Sequence, residues 1–148
     1  MTFAACLAIV MAVITEPIDQ RMAPRAIALE IARVARTPLE AAVLAKTAWE
    51  EGRLIPNRVG DHGKSLCTMQ LKQNHLRLRD WLALNDDLRR CIEEGYARIM
   101  QSWQACPDAP LALYASGRCD RGTKLSRRRM TQAASALALV SPDSSPLP

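Results

Sequence analysis

Apolar side chains recur every three or four residues along several stretches of this chain. Ile27, Ile31 and Val34 share one face of the first such stretch, and the same spacing runs through residues 86–104. This period matches the turn of an amphipathic helix. The pattern predicts long helices over 24–36, 38–52, 86–104 and 124–140, and shorter ones over 65–71, 80–84 and 111–116.

Capping residues mark several of these boundaries. Thr37 can accept a hydrogen bond from a free amide of the second helix, and Pro38 suits its first position. Asp86 is interpreted as an N-cap in the same way, and Gly117 as the residue that follows a short helix. Residues 55–64 are rich in turn-forming residues and are predicted to be a loop.

The start of the chain stands apart from this pattern. Residues 3–14 are all apolar, but they are fewer than the roughly 20 that a bilayer-spanning helix needs. Two interpretations stay open: the apolar region of an export signal, here without a preceding basic residue, or an additional helix. We divide the chain into a leader, 1–22, a helical domain, 23–140, and a disordered tail, 141–148.

Composition narrows the fold class. Apolar residues make up 49% of the chain and aromatic residues only 4%, so the core consists of aliphatic side chains and Met. Such a core favours helices, and no run of β-branched residues alternates as a strand would. We expect a mainly α protein with a single domain, acting as a monomer.

The cysteines do not point to a metal site. The chain has five cysteines but no C-x-x-C pair, and its histidines lack ligand spacing, so neither a metal nor a cofactor is expected. Cys106 and Cys119 bracket the short helix over 111–116. Whether these two form a disulfide that pins the helix or remain thiols stays open at this point.

Three short segments combine side chains that can carry chemistry. The first places Glu50 and Glu51 at the end of a predicted helix, where the helix dipole disfavours negative charge. The second is a glycine-containing loop that ends in Met69 and Gln70. The third, LYASG, includes Tyr114. Between Glu51 and Gln70 lie 18 residues, and between Gln70 and Tyr114 lie 43.

In order and spacing, these segments resemble the soluble lytic transglycosylases and goose-type lysozymes. That family has a Glu followed by a small residue, then a loop with Ser, Gly and Gln, and later a Tyr-Asn-Ala-Gly-like string. The resemblance covers about residues 39–130. It implies a lysozyme-like helical fold and cleavage of the β-1,4 bond between N-acetylmuramic acid and N-acetylglucosamine in peptidoglycan.

Glu51 is the implied catalytic residue, first as acid and then as base. Gly52 and Pro56 follow it in the register of the family motif, whereas Glu50 lies about 100° further round the helix. One carboxyl group suffices, because the C6 hydroxyl of the sugar closes an anhydro ring in place of attack by water. The first step needs a carboxyl group that is still protonated at the working pH. Burial among apolar side chains is a common way to raise the pKa of such a group.

Four further residues are implied to bind the glycan: Ser65, Met69, Gln70 and Tyr114. Ser65 would lie at the edge of the cleft, and Met69 would form part of an apolar wall beside the acid. The Gln70 amide can both donate to and accept from a sugar. Tyr114 would hold the acid's side chain through its hydroxyl.

Three departures from the family pattern bear on activity. Gly52 replaces the usual Ser, Cys67 stands where the family has Gly, and Ala115 replaces Asn. Two alternatives to transglycosylation stay open. One is a hydrolase of the same bond, in which Asp61, in the loop that faces the cleft, activates water. The other is a domain that keeps the fold and only binds the wall.

The positive charge of the chain raises nucleic-acid binding as a third class of function. Twenty basic against fifteen acidic residues give a net charge of +5, and Arg127–Arg129 form a basic run. This run suits a solvated helix face or attraction to an anionic cell wall. Binding of nucleic acid is not expected, because aromatic residues do not alternate with the basic ones. The expected partner is peptidoglycan in the periplasm or outside the cell, reached through a signal peptide or as a phage lysis or virion protein.

Overall fold

The computed structural model describes residues 1–74 and 76–140, so the predicted tail, 141–148, lies outside the described residues. The described chain is mainly α and forms a single small domain, as the sequence predicts. Its helices are α1 (Phe3–Val13), α2 (Pro24–Val34), α3 (Pro38–Gly52), α4 (Leu78–Ala83), α5 (Leu88–Ala105), α6 (Ala112–Ser116) and α7 (Thr123–Val140). Two short strands, β1 (Val59–Gly60) and β2 (Ser65–Leu66), pair in an antiparallel hairpin.

Helix α3 lies at the centre of the domain. Every residue from Ala41 to Trp49 is buried, and α1, α2 and α7 pack around the helix. The alanines of this run add little bulk, so neighbouring helices can approach closely. Apart from Lys46 and Thr47, this run is apolar around the whole helix, and a helix without a broad polar face occupies the core rather than the surface.

The apolar leader forms part of the same core. Helix α1 packs against α2, α3 and α7 and buries Cys6, Ile9, Val10 and Val13. These residues form a helix in the structure, and both interpretations of the leader stay predictions. Within the described ranges, no helix combines the length and the apolar character needed to cross a bilayer.

The predicted boundaries are mostly close to the observed ones. Thr37 caps α3, since its hydroxyl accepts a hydrogen bond from the Glu40 amide at 3.2 Å. The expectation for Asp86 is wrong by one residue: the N-cap of α5 is Asp87, whose carboxylate accepts from the Arg90 amide at 3.0 Å.

The prediction of a short helix over residues 65–71 is wrong. Residues Ser65–Leu66 instead form β2, and Leu66 also pairs with Leu71 across a tight turn. Cys67 and Gln70 have positive φ angles of 60° and 49°, which a right-handed helix excludes. The turn directs this segment back beneath the end of α3.

Gly52 provides a test of how α3 meets this turn. A Cβ at residue 52 would collide with the backbone of Thr68, so Gly52→Ala should lower the free energy of unfolding by about 1–3 kcal/mol, the usual cost of overpacking. Gly95 in α5 is the matched control, because there the added methyl would meet the flexible Met69 side chain at 2.8 Å. Urea unfolding should show the larger loss for Gly52→Ala, and a larger loss for Gly95→Ala would contradict this packing.

Candidate functional site

A cleft of about 610 Å³ opens beside the C-terminal end of α3. The hairpin, the segment that follows it, α5 and α6 form its other walls. The polar side chains that line it are Glu51, Asp61, Ser65, Gln70, Lys72, Asn74, Arg98, Gln101, Tyr114 and Ser116. Four of the five predicted site residues are thus brought together from three distant segments, and only Met69 is not among the lining residues.

The two adjacent acids of α3 face different surroundings. Glu50 lies against α7 and its own helix: its Oε1 is 2.7 Å from Lys46 Nζ and its Oε2 is 3.9 Å from Arg128 Nη2. The hydrogen bond from Lys46 holds the pKa of Glu50 below its ordinary value. Glu51 lines the cleft instead, with a side chain that is 28% exposed. Of these two carboxylates, Glu51 is therefore the one that a ligand in the cleft can reach.

A buried arginine stands beside Glu51. Arg129 Nη1 lies 2.6 Å from Glu51 Oε1, and the arginine side chain is only 8% exposed. Arg129 Nη1 and Nε have no hydrogen-bond partner of suitable geometry among the described residues, so this close contact is a charge–charge pair and not an aligned hydrogen bond. The apolar surroundings expected for Glu51 are replaced on this side by a cation.

The basic run of the sequence, Arg127–Arg129, is not uniform in the structure. Arg127 and Arg128 are exposed, and only Arg129 is buried. The signal that could have separated them is the spacing of α7, whose buried residues are Ser126, Arg129, Ala133 and Ala136. Small residues at this helical spacing mark the face that packs inward, and Arg129 lies on that face.

Tyr114 belongs to the cleft, but its hydroxyl does not hold Glu51 as expected. It donates a hydrogen bond to the Met69 carbonyl oxygen at 2.6 Å, while the Tyr114 amide donates to Ser102 Oγ at 3.1 Å. Burial raises the pKa of Tyr114 well above its ordinary value, and the negative charge of Glu51 raises it further. Tyr114 therefore stays protonated and joins α6 to the turn under the cleft.

Met69 is a correction to the predicted site. Its side chain is fully buried and packs against Gly95 of α5, beneath the cleft rather than in it. The tight turn that ends at Gln70 directs it inward. Apolar contact in the cleft comes instead from Leu71 and Leu113.

Gln70 and Ser65 line the cleft but already have partners in the protein. Gln70 Nε2 donates to the carbonyl oxygens of Arg58 and Cys67 at 3.1 and 2.9 Å, so both of its hydrogens are used. Contrary to expectation, Gln70 has no hydrogen left to donate to a sugar, and its Oε1 packs closely against Gly60. Ser65 is buried although it borders the cleft, and its Oγ donates to Asp61 Oδ2 at 2.9 Å. Lys72 Nζ lies 3.8 Å from the same oxygen.

Backbone strain is concentrated on one side of the cleft. In the ranges that the structure describes, the residues other than glycine with positive φ are Arg53, Leu54, Asp61, His62, Cys67, Gln70 and Asn74. All of them lie in one continuous segment, and each such conformation costs on the order of 1 kcal/mol or more. Cys67, with φ of 60°, occupies the motif position at which the resembled family has Gly, the residue that adopts this conformation without steric cost.

Two disulfides join the cleft walls to α5. Cys106 and Cys119 form the disulfide that the sequence left open, and it closes the loop that carries α6 and Tyr114. Cys67 and Cys91 form a second disulfide, which sequence analysis missed because nothing in their separation of 24 residues marks a pair. Cys6 is buried and unpaired.

Comparisons with protein-family models, with curated proteins and with solved structures give no match to this chain. The resemblance to lytic transglycosylases therefore stays a prediction that depends on the motif residues of the three segments. Across the described residues, no three His, Cys, Asp or Glu side chains gather as they would around a metal ion.

The Cys106–Cys119 disulfide should contribute measurably to stability. Replacing both cysteines by Ser is expected to lower the free energy of unfolding by about 3 kcal/mol, because the unfolded chain regains the entropy of a short closed loop. Chemical denaturation with and without dithiothreitol measures this. The control is Cys6→Ala, which should unfold with the same dependence on reductant as wild type. Unfolding of the wild-type protein that does not respond to reductant would contradict both disulfides.

Glu50 should make stability depend on acid pH. Because its pKa is lowered in the folded state, its stabilising effect is present above the ordinary value of 4.5 and is lost as the pH falls through the folded-state value. Glu50→Gln should therefore unfold at lower urea concentration at neutral pH and lose less stability between about pH 6 and about pH 3. Glu93→Gln, in an exposed pair with Arg89, is the control and should resemble wild type. Equal pH dependence of the Glu50 variant and wild type would contradict the assignment.

Proposed function

We propose that this protein is a lytic transglycosylase of lysozyme-like fold that cleaves the β-1,4 bond between N-acetylmuramic acid and N-acetylglucosamine in peptidoglycan. The observation that carries the proposal is that Glu51, Ser65, Gln70 and Tyr114, which come from three separate motif segments, line one cleft. The cleft is open and polar, as a glycan strand requires.

Glu51 acts as acid and then as base in this proposal. Its protonated carboxyl gives a proton to the glycosidic oxygen, the bond from this oxygen to C1 of N-acetylmuramic acid breaks, and N-acetylglucosamine leaves with a free 4-hydroxyl. The C6 hydroxyl of the muramic acid then attacks C1 and returns its proton to the Glu51 carboxylate. The products are an anhydro sugar and a new non-reducing end, and no water is consumed.

The backbone beside the acid supports an enzymatic site. Strained conformations persist only where the surrounding structure holds them in place, and they are found preferentially at functional sites. Here they lie between Arg53 and Asn74, and the Cys67–Cys91 disulfide joins this segment to α5. The two disulfides also fit the proposed location, because such bonds persist in the periplasm or outside the cell.

A hydrolase of the same bond is the second candidate. Asp61 favours it, because this carboxylate lines the same cleft as Glu51 and can act as a second group for the activation of water. Asp61 accepts a hydrogen bond from Ser65, and its Oδ2 lies 3.8 Å from Lys72 Nζ. A water molecule between the two carboxylates would give a reducing sugar instead of an anhydro sugar.

Glu51→Gln tests the proposal against its neighbour Glu50→Gln. Release of soluble glycan from purified peptidoglycan should fall by about 100-fold or more in Glu51→Gln, because the variant has no proton to give. Glu50→Gln should retain the activity of wild type, since Glu50 does not line the cleft. Both variants are first checked for folding by circular dichroism. A Glu51→Gln variant that releases glycan as fast as wild type would contradict the assignment.

A further inference from the structure

We propose that Arg129 is a positioning residue for Glu51: its buried guanidinium holds the carboxylate at the wall of the cleft and stabilises the charge that remains after the proton has left. This inference rests on the proposed function and deepens it. None of the three motif segments includes Arg129, which lies on α7, 78 positions after Glu51 in the chain.

The two members of the pair differ in their freedom to move. The Arg129 side chain is 8% exposed, whereas that of Glu51 is 28% exposed at the cleft. Helix α7 is itself anchored, because Ser126 on the same buried face accepts a hydrogen bond from the Leu111 amide at 2.8 Å. Arg129 is therefore the rigid partner, and Glu51 is the one whose orientation it determines.

The contact makes the two oxygens of the Glu51 carboxylate unequal, because only one of them touches Arg129. Oε1 lies 2.6 Å from Arg129 Nη1, so Oε2 is the oxygen left to exchange a proton with the glycan. With Oε1 held by Arg129, Oε2 is available both to give the proton to the glycosidic oxygen and to take one from the C6 hydroxyl. A fixed cation on one side restricts rotation of the carboxylate between these steps.

Burial also makes the pair mutually dependent. A guanidinium out of water needs a nearby anion, since an unpaired buried charge is strongly unfavourable. Arg129 has two buried N–H groups without a hydrogen-bond acceptor among the described residues, and its charge interacts with both Glu51 and Glu50. Glu50 therefore continues to compensate the guanidinium while Glu51 carries the proton of the first step. This explains an arginine on a helix face whose other buried residues are small.

Kinetics of Arg129 variants separate positioning from a merely structural role. The substrate is a soluble tetrasaccharide of alternating N-acetylglucosamine and N-acetylmuramic acid with its peptides. Arg129→Met should lower kcat by about 10- to 100-fold and change KM by less than about threefold, because it misplaces the acid without removing contacts to the sugar. Arg129→Lys keeps the charge and should restore part of kcat. Arg128→Met is the matched control, on the adjacent exposed residue, and should resemble wild type.

Wild-type kcat in Arg129→Met would overturn the proposal. So would a loss that appears mainly in KM, or one that Arg129→Lys does not relieve, because a structural role alone predicts those results. Absence of cleavage by wild-type protein would instead overturn the proposed function, and with it the catalytic part of this inference.

A stability cycle tests the pair without any glycan. Glu51→Gln and Arg129→Met should each destabilise the fold, and the double variant should be less destabilised than the sum of the two, since neither charge is then left alone. Urea unfolding of the four proteins measures this coupling. Strictly additive losses would overturn the pairing itself, whatever the activity.

Discussion

Enclosure of α3 on all sides is the constraint on which the rest of the structure depends. Because residues Ala41–Trp49 are buried, the helix cannot shift or rotate without disturbing α1, α2 and α7 together. Its last turn emerges at the cleft, so Glu51 projects from the most firmly held element of the domain. The adjacent Glu50 projects toward Lys46 and α7 instead, which separates a structural acid from the candidate catalytic one.

The other walls of the cleft depend on cross-links to α5. The Cys67–Cys91 disulfide attaches the turn that carries Gln70, and the Cys106–Cys119 disulfide closes the loop that carries Tyr114. Tyr114 then connects the two walls through its hydrogen bond to the Met69 carbonyl oxygen. A site assembled from loops gains precision in this way from covalent bonds and buried hydrogen bonds to a rigid helix.

Local sequence pattern accounts for the long helices but not for the turn under the cleft. Apolar spacing and the Thr37 cap are local signals, and α2, α3, α5 and α7 follow them closely. Cys67 and Gln70 adopt left-handed conformations in a tight turn that also contacts distant residues, through the Cys67–Cys91 disulfide and the Gln70 hydrogen bond to Arg58, and the helix expected there does not form. A local pattern does not reveal such long-range contacts.

The candidate site, like the fold, could be predicted from the sequence only in part. The segments singled out in the sequence contain Glu51, Ser65, Gln70 and Tyr114, and the fold places these four residues along one cleft. Motif spacing did not reveal that Met69 points into the core or that the Gln70 hydrogens are used within the protein. The Glu51–Arg129 pair also escaped it, since two residues on α3 and α7 meet only through packing.

Cleavage of peptidoglycan in water enriched in oxygen-18 tests the central claim most directly. Transglycosylation closes the sugar on its own C6 hydroxyl, so the released fragments should end in anhydro-muramic acid and contain no oxygen-18, as read by mass spectrometry. Fragments that are heavier by one water and carry one oxygen-18 at the reducing end would contradict transglycosylation and indicate a hydrolase that uses Asp61. Absence of released fragments from folded protein would contradict the enzymatic account as a whole.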